Sequence, residues 1–395
     1  TIIGVTGTNG KSTTVVMLGK ILEEAGNKVG FATTINFKVA DKEWLNDQKM
    51  TMLGRFKLQK LLKDMTKANC KYAVIETSSE GIKQFRHLGI DYNVLVFTNL
   101  TPEHIESHGS FDNYKKAKLK IFKNLGKTNK NKKTIIANID DQHAADFLSF
   151  NVTNKIGFST KTNTSELVNK VYSAKDIAIT NIGSEFKVND QKFSLNLLGK
   201  VHIYNALAAI STAKSLGVDL EISKTALEKI KSIPGRAEFI DEGQSFKVLV
   251  DYAPEPESLK QLYTSLDNIE YNKLIHILGS CGGGRDKDRQ PLLGQMAATK
   301  ADTIIITNED PYDDDPMTII NNVAKGAEKV GQITGKTIYK IVERKEAIAK
   351  ALKIAKSNDL VLITGKGSEQ AMCIAGGKKI PWDDRQIVRE ELKKL

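Results

Sequence analysis

The stretch Gly4-Val5-Thr6-Gly7-Thr8-Asn9-Gly10-Lys11-Ser12-Thr13-Thr14 constrains this chain more than any other. The apolar run Ile2-Ile3-Gly4-Val5 reads as a buried strand. Ser12 to Ala25 reads as a helix with Val15, Val16, Leu18, Ile21 and Leu22 on its inner side. Between them lies a glycine-spaced turn. Glycines let backbone N–H groups face an anion, and the helix N-terminus adds partial positive charge. Lys11 can then reach the outer phosphates of a nucleotide, and Ser12 can ligate Mg²⁺. Val5 stands where the strict P-loop pattern has its first glycine, so this is a P-loop variant. A turn without a ligand has no use for the Lys11-Ser12 pair.

At 395 residues the chain has room for two or three domains, each with its own core. No apolar run approaches the ~20 residues of a membrane span, so no membrane association is expected. The first residues are already a strand, which leaves no place for a signal peptide. The phosphate loop opens without an initiator Met, and removal of something upstream is expected. Cys70, Cys281 and Cys373 are isolated and odd in number, as thiols of a reducing cytoplasm would be. The formal net charge of +11 suits acidic ligands such as nucleotides. The basic run Lys127 to Lys133 has no interleaved aromatic residues and reads as a hydrated loop, so no nucleic-acid partner is expected.

Strand-like runs alternate with helical spacing, which predicts a parallel α/β sheet. Predicted strands are Val29–Thr33, Tyr72–Thr77, Val94–Thr98 and Thr134–Ala137; predicted helices include Phe56–Thr66 and Asn113–Leu125. From Ile156 to Leu198 the pattern changes to short alternating pieces with Asn and Gly turns, which predicts a small antiparallel insertion. Helical patterns resume at Ile203–Leu216 and Ile222–Ser232. Pro234-Gly235 then marks a boundary, giving domains 1–235 and 236–395. The second has strands at Lys247–Val250, Leu274–Leu278, Thr303–Thr307 and Leu360–Thr364, with helices between them, as in a second, Rossmann-like α/β domain.

Glu76 closes the Tyr72–Thr77 strand, where a sheet with a phosphate loop places a Mg²⁺ ligand or water-orienting group; a solvated loop acid is the plainer reading. His104 follows the next strand and falls on the same rim. Lys118 lies among Lys115, Lys116, Lys120 and Lys123, and no pattern singles it out. In the second half, Gly279 to Lys287 is a glycine-rich loop with Arg285 as a two-pronged donor for carboxylate or phosphate. Glu309 to Asp315 is an acid-rich loop suited either to a cationic amine or to the N-terminus of a helix. Thr364 to Glu369 is a further glycine loop. Together these loops predict a second rim facing the first across a cleft.

Read together, these stretches resemble the Mur ligase family of ATP-dependent amide-forming enzymes, most of all the members that add the third residue of the peptidoglycan stem peptide. The resemblance runs from Gly4 to Arg385. Its motifs appear in the family's order: Thr6–Thr14, Glu76–Arg86, Val96–His108, Tyr114–Lys118, Asn138–Asp141, Gly199–Asn205, Gly235-Arg236, Asp251–Ala253, Gly282–Lys287 and Gly365–Glu369. It implies that Gly7, Thr8, Asn9, Gly10, Lys11, Ser12 and Thr13 hold the phosphates of ATP, and that Ser12 and Glu76 hold one Mg²⁺. It implies His104 as ligand of a second Mg²⁺, and Lys118 as the lysine that the family carbamylates. Lys11, Glu76, His104 and Lys118 would then be the catalytic set. Asn205, Arg236 and Asp251 would contact the nucleotide. Thr51, Ser78, Gln84 and Arg86 would grip a UDP-N-acetylmuramoyl-peptide. Arg285, Glu309, Asp310, Gly365 and Glu369 would receive a free amino acid. A cytoplasmic monomer is implied.

The chain departs from the family at four places. Where the members that use meso-diaminopimelate carry Asp-Asn-Pro-Arg, this chain has Glu309-Asp310-Pro311-Tyr312. A tyrosine cannot form the bidentate link to a distal carboxylate. With Asp313 to Asp315 adjacent, a side chain ending in an ammonium, such as lysine, is expected. Pro254 and Ser368 each stand where the family has His. The family's N-terminal UDP-binding domain has no counterpart here, and its role is expected from a removed segment or another chain. Two alternatives remain open: a folylpolyglutamate or cyanophycin synthetase-like ligase, and a non-catalytic nucleotide-binding relative.

Overall fold

The computed structural model describes residues 1–395 except His104, Asn129 and Thr162, and the side chain of Ile105. The chain forms two compact units, Thr1–Lys231 and Ser232–Leu395. The seam thus lies four residues before the boundary expected from Pro234-Gly235.

The first unit is built on a nine-stranded sheet. Its strands are β1 (Ile2–Thr6), β2 (Val29–Ala32), β3 (Asn36–Val39), β4 (Lys42–Leu45), β5 (Tyr72–Glu76), β6 (Val94–Phe97), β7 (Thr134–Asn138), β8 (Asn154–Ser159) and β9 (Lys170–Ser173). They lie in the order β4-β3-β2-β5-β1-β6-β7-β8-β9. The run from β2 to β9 is parallel, and β3 and β4 add an antiparallel edge. Central strands buried on both faces need side chains without polar atoms, which is why β1, β5, β6 and β7 read as nearly continuous apolar runs. Ile3, Val5, Val74, Ile75, Leu95 and Val96 are completely buried. The helix Lys11–Glu24 packs on the sheet and against Lys200–Ser215. β1 sits between β5 and β6, so the loops that follow all three open at one edge, at the point where the chain turns to either side.

The insertion is smaller than expected. Only β10 (Lys175–Ile179), β11 (Ser184–Val188) and β12 (Gln191–Leu195) form a separate antiparallel sheet. β8 and β9 instead extend the main sheet in parallel. Alternation of apolar residues reports a half-buried strand but not the direction of its neighbour.

In the second unit six strands pair in the order β13-β14-β18-β15-β16-β17. These are β13 (Glu238–Phe239), β14 (Lys247–Val250), β15 (Leu274–Leu278), β16 (Thr303–Thr307), β17 (Ile338–Ile341) and β18 (Leu360–Ile363). All neighbours are parallel except β13 with β14. A short hairpin of β19 (Ala371–Ile374) and β20 (Lys378–Pro381) follows, and then a last helix, Asp384–Leu392. Both units are therefore α/β with mostly parallel sheets. Among the described residues no helix is long and apolar enough to cross a membrane.

Candidate active site

The turn after β1 is held from beneath by the turn after β6. Thr8 N donates to Asn99 O at 2.9 Å, and Asn9 N donates to Asn99 Oδ1 at 2.8 Å. Thr98 Oγ1 donates to Asn9 O at 2.7 Å, and Asn99 Nδ2 to the same oxygen at 3.1 Å. Two glycines are required by this packing. A Cβ on Gly7 would lie 2.0 Å from Thr98 Oγ1; one on Gly10, where φ is +82°, would lie 2.1 Å from Asn205 Oδ1. Gly10 is the residue before the first helical turn, so the backbone N–H groups of Lys11 and Ser12, which have no partner within the helix, form a cradle at a 14-residue helix's N-terminus, while those of Thr8 and Asn9 are held by Asn99.

Ionisable side chains gather at this cradle from its own helix and from two further elements. Lys11 Nζ donates to Thr8 O at 2.6 Å. Glu76, at the end of β5, is buried and accepts through Oε2 from Ser12 Oγ at 2.7 Å, Thr34 N at 2.7 Å and Thr34 Oγ1 at 3.1 Å. Lys118 is 1% exposed, and its Nζ donates to Gly7 O at 2.8 Å. That Nζ lies 4.5 Å from the centre of the Tyr114 ring, while the Tyr114 hydroxyl is 3.0 Å from Thr8 Oγ1. Burial, reinforced by the nearby Lys11 ammonium, holds the Lys118 amine well below the usual lysine range, against the opposing pull of Glu103 and Glu76. A neutral amine at this position is a nucleophile.

The structure therefore brings Lys11, Ser12, Glu76, Lys118 and Asn205 to one loop. Thr13 is buried in the first turn of the helix. His104 lies outside the described residues. Among the described residues no three His, Cys, Asp or Glu side chains cluster as a metal cage. The Ser12 hydroxyl and Glu76 carboxylate are nonetheless a hard-oxygen pair of the kind Mg²⁺ takes when phosphates and water complete its shell.

The residues expected to grip a larger substrate lie on nearby turns. Thr51 Oγ1 lies 3.0 Å from Thr34 Oγ1, within hydrogen-bond distance. Ser78 caps the helix Ser79–Lys83 by accepting from Gly81 N at 3.1 Å. Arg86 donates to Gln84 Oε1 and, at 2.5 Å, to Met52 O.

In the second unit, Arg236 lies 4.5 Å from the Tyr252 ring centre. Asp251 accepts from Ala237 N at 2.7 Å and Ala253 N at 2.8 Å. Burial pushes the Asp251 carboxyl up, opposed by Arg236 and those two N–H groups. Glu309 is buried; Cys281 Sγ donates to its Oε1 at 2.9 Å, and Gly365 leaves its Oε2 the space that a Cβ would fill. Asp310 and Glu369 both meet Lys366, which is 0% exposed. Its Nζ is 3.0 Å from Asp310 Oδ1 and 2.7 Å from Glu369 Oε2. Arg285 is exposed on the glycine loop. The acid-rich loop largely serves the backbone: Asp313 accepts from Gly376 N, Asp314 from Gly283 N, and Asp315 caps Pro316–Glu328 through Thr318 N.

Sequence reasoning passed over Thr34, Asn99 and Lys366. Thr34 and Asn99 each follow a buried strand at the loop-bearing edge, which is a usable signal. Nothing in Gly365-Lys366-Gly367 distinguishes a buried cation from an exposed one.

The description "Mur ligase middle domain" fits residues 5–213, and "Mur ligase, glutamate ligase domain" fits residues 235–367. The chain is 35% identical over 411 residues to a UDP-N-acetylmuramyl-tripeptide synthetase of Roseiflexus sp. (strain RS-1), covering 100% of this chain and 79% of that protein. A solved UDP-N-acetylmuramoyl-L-alanyl-D-glutamate–2,6-diaminopimelate ligase superposes with a TM-score of 0.65 at 28% identity, covering 100% of this chain and 78% of that one. The MurF ligase of Thermotoga maritima in complex with ADP shares the fold, with a TM-score of 0.65 at 18% identity over 100% of this chain and 79% of that one. With the phosphate cradle, the buried carboxylate and the two lysines set on the same sheet edge, this chain belongs to the Mur ligase family and is an ATP-dependent amide ligase.

Proposed function

We propose that this chain joins a free amino acid to a carboxylate of a UDP-N-acetylmuramoyl-dipeptide in peptidoglycan synthesis, with ATP as the activating substrate. The observation that carries the reading is the convergence of Lys11, Ser12, Glu76 and Lys118 on one P-loop.

A carboxylate is a poor electrophile. In the first step its oxygen attacks the γ-phosphorus of ATP, ADP leaves, and an acyl phosphate forms. In the second step the amino nitrogen attacks the acyl carbon, phosphate leaves with the C–O bond electrons, and the nitrogen loses a proton. Lys11 and the cradle N–H groups neutralise charge on the transferring phosphoryl group, so catalysis is positioning and electrostatics. Ser12 and Glu76, joined by His104 and by Lys118 in carbamylated form, would hold Mg²⁺, which supplies charge neutralisation along the phosphates. Carbamylation adds CO₂ to the neutral Lys118 amine and releases one proton, turning a neutral side chain into an anionic one. Asn205, Arg236 and Asp251 contact the nucleotide; Thr51, Ser78, Gln84 and Arg86 contact the UDP-sugar-peptide.

The incoming amino acid meets Arg285, Glu309, Asp310, Gly365 and Glu369, and we assign it a side chain ending in an ammonium. Tyr312 supports this. Its ring lies against Gly283, where a Cβ would come within 2.5 Å of it, and it offers no guanidinium to a distal carboxylate. The test is phosphate release with UDP-N-acetylmuramoyl-L-alanyl-D-glutamate and a panel of lysine, ornithine and meso-diaminopimelate. Release fastest with lysine is expected. Release fastest with meso-diaminopimelate overturns the side-chain assignment, and no amino-acid-dependent release with any of them overturns the ligase reaction.

A further inference from the structure

Four side chains at the rim of the first unit form one continuous hydrogen-bond relay. Ser107 Oγ donates to Glu80 Oε2 at 2.6 Å, and Gln84 Nε2 donates to Glu80 Oε1 at 2.7 Å. Gln84 Oε1 in turn accepts from Arg86 Nη2, and Arg86 Nη1 donates to Met52 O at 2.5 Å. Lys83 Nζ donates to Ser107 O, and His108 Nε2, buried, lies 3.9 Å from Glu80 Oε2. Glu80 therefore ties the helix Ser79–Lys83 and its exit to the helix Ile105–His108.

The chemistry of the relay has one direction. An ionised carboxylate only accepts, so Glu80 must take the Nε2 end of the Gln84 amide. That leaves Oε1, and only Oε1, facing Arg86. With its two terminal nitrogens anchored on Gln84 and Met52, the guanidinium plane is fixed before anything binds. Remove the carboxylate, and the amide is free to turn its NH₂ toward Arg86, where two donors repel. The arginine then regains rotamer freedom that binding must again take away.

We propose that Glu80 is a positioning residue for substrate binding: it sets the orientation of the Gln84 amide and, through it, aims the Arg86 guanidinium at an anionic group of the UDP-N-acetylmuramoyl-peptide. This rests on the reading that Gln84 and Arg86 hold that substrate.

The test is steady-state kinetics of Glu80→Ala, Glu80→Gln, Gln84→Ala and the Glu80→Ala/Gln84→Ala pair. Glu80→Ala is expected to raise KM for the UDP-peptide about tenfold, the loss of one charge-assisted hydrogen bond. KM for ATP and kcat should change less than twofold. Glu80→Gln retains an acceptor oxygen and should recover most of the affinity. In the Gln84→Ala background the Glu80→Ala change should add nothing further, because the relay is already cut. An unchanged KM in Glu80→Ala, a multiplicative effect in the pair, or equal losses toward ATP and UDP-peptide would each overturn the proposal. A wild-type protein that releases phosphate with no UDP-peptide would instead overturn the reading beneath it.

Discussion

Ser12 Oγ donates to Glu76 Oε2 at 2.7 Å, joining the first turn of the P-loop helix to the end of a strand 64 residues further along the chain. The same carboxylate oxygen takes two more hydrogen bonds from Thr34. Replacing Glu76 by Gln keeps the size and removes the charge. Phosphate release should fall about a hundredfold or more, and raising Mg²⁺ should recover only part of it. A variant as active as wild type at low Mg²⁺ removes Glu76 from the site.

Lys118 should react with CO₂. Growth of a ¹³C NMR carbamate signal on addition of ¹³C-bicarbonate is expected in the wild type and not in Lys118→Ala. Phosphate release in CO₂-stripped buffer should drop and return with bicarbonate. Lys118→Ala should lose roughly a thousandfold in turnover, the scale of losing a central electrostatic group.

Gly10→Ala should weaken nucleotide binding with little loss of fold. The new Cβ meets Asn205 at 2.1 Å on a backbone with φ of +82°. Titration with an ATP analogue should show at least tenfold weaker binding, because the cradle must deform by roughly 1–3 kcal/mol to admit the methyl group.

His276 makes the second unit acid-sensitive. Its ring is 0% exposed, bonded to the Tyr263 hydroxyl at 2.7 Å and to Thr364 Oγ1 at 3.0 Å. Burial, with a contribution from Arg344, lowers its pKa from 6.5 to about 3. The folded state thus stays neutral while the unfolded chain gains a proton below 6.5. The contribution of His276 to stability is complete above that pH and is lost as pH falls toward 3. Between pH 7.5 and 5 the loss should be about 2 kcal/mol. Urea unfolding followed by Trp382 in a Trp44→Phe background should show that loss, and His276→Gln should remove it.

The central strands were legible because a sheet covered on both faces demands apolar runs, as at Tyr72–Glu76 and Val94–Phe97. The edge pair β3 and β4 was not. Lys38, Lys42 and Glu43 give it polar letters, and its Lys38 ammonium is satisfied by Glu23 and Glu43, partners no local pattern reveals. Lys118 was legible after all. Tyr114, Lys118, Ile121, Phe122 and Leu125 share one buried helix face, so a lysine spaced with the apolar residues, unlike Lys115, Lys116, Lys120 and Lys123, marks itself as buried. The cradle was read from its glycines, but the Asn99 and Thr98 side chains beneath it arise from β6 folding next to β1, a pairing that local spacing does not contain.

Transfer of oxygen from substrate to phosphate tests the reaction most directly. The UDP-N-acetylmuramoyl-dipeptide is prepared with ¹⁸O in both carboxylates of its D-glutamate and turned over with ATP and lysine, and the products are resolved by mass spectrometry. An acyl phosphate predicts ADP together with inorganic phosphate carrying one ¹⁸O atom per turnover. Unlabelled phosphate, or ¹⁸O in AMP with release of pyrophosphate, would contradict it.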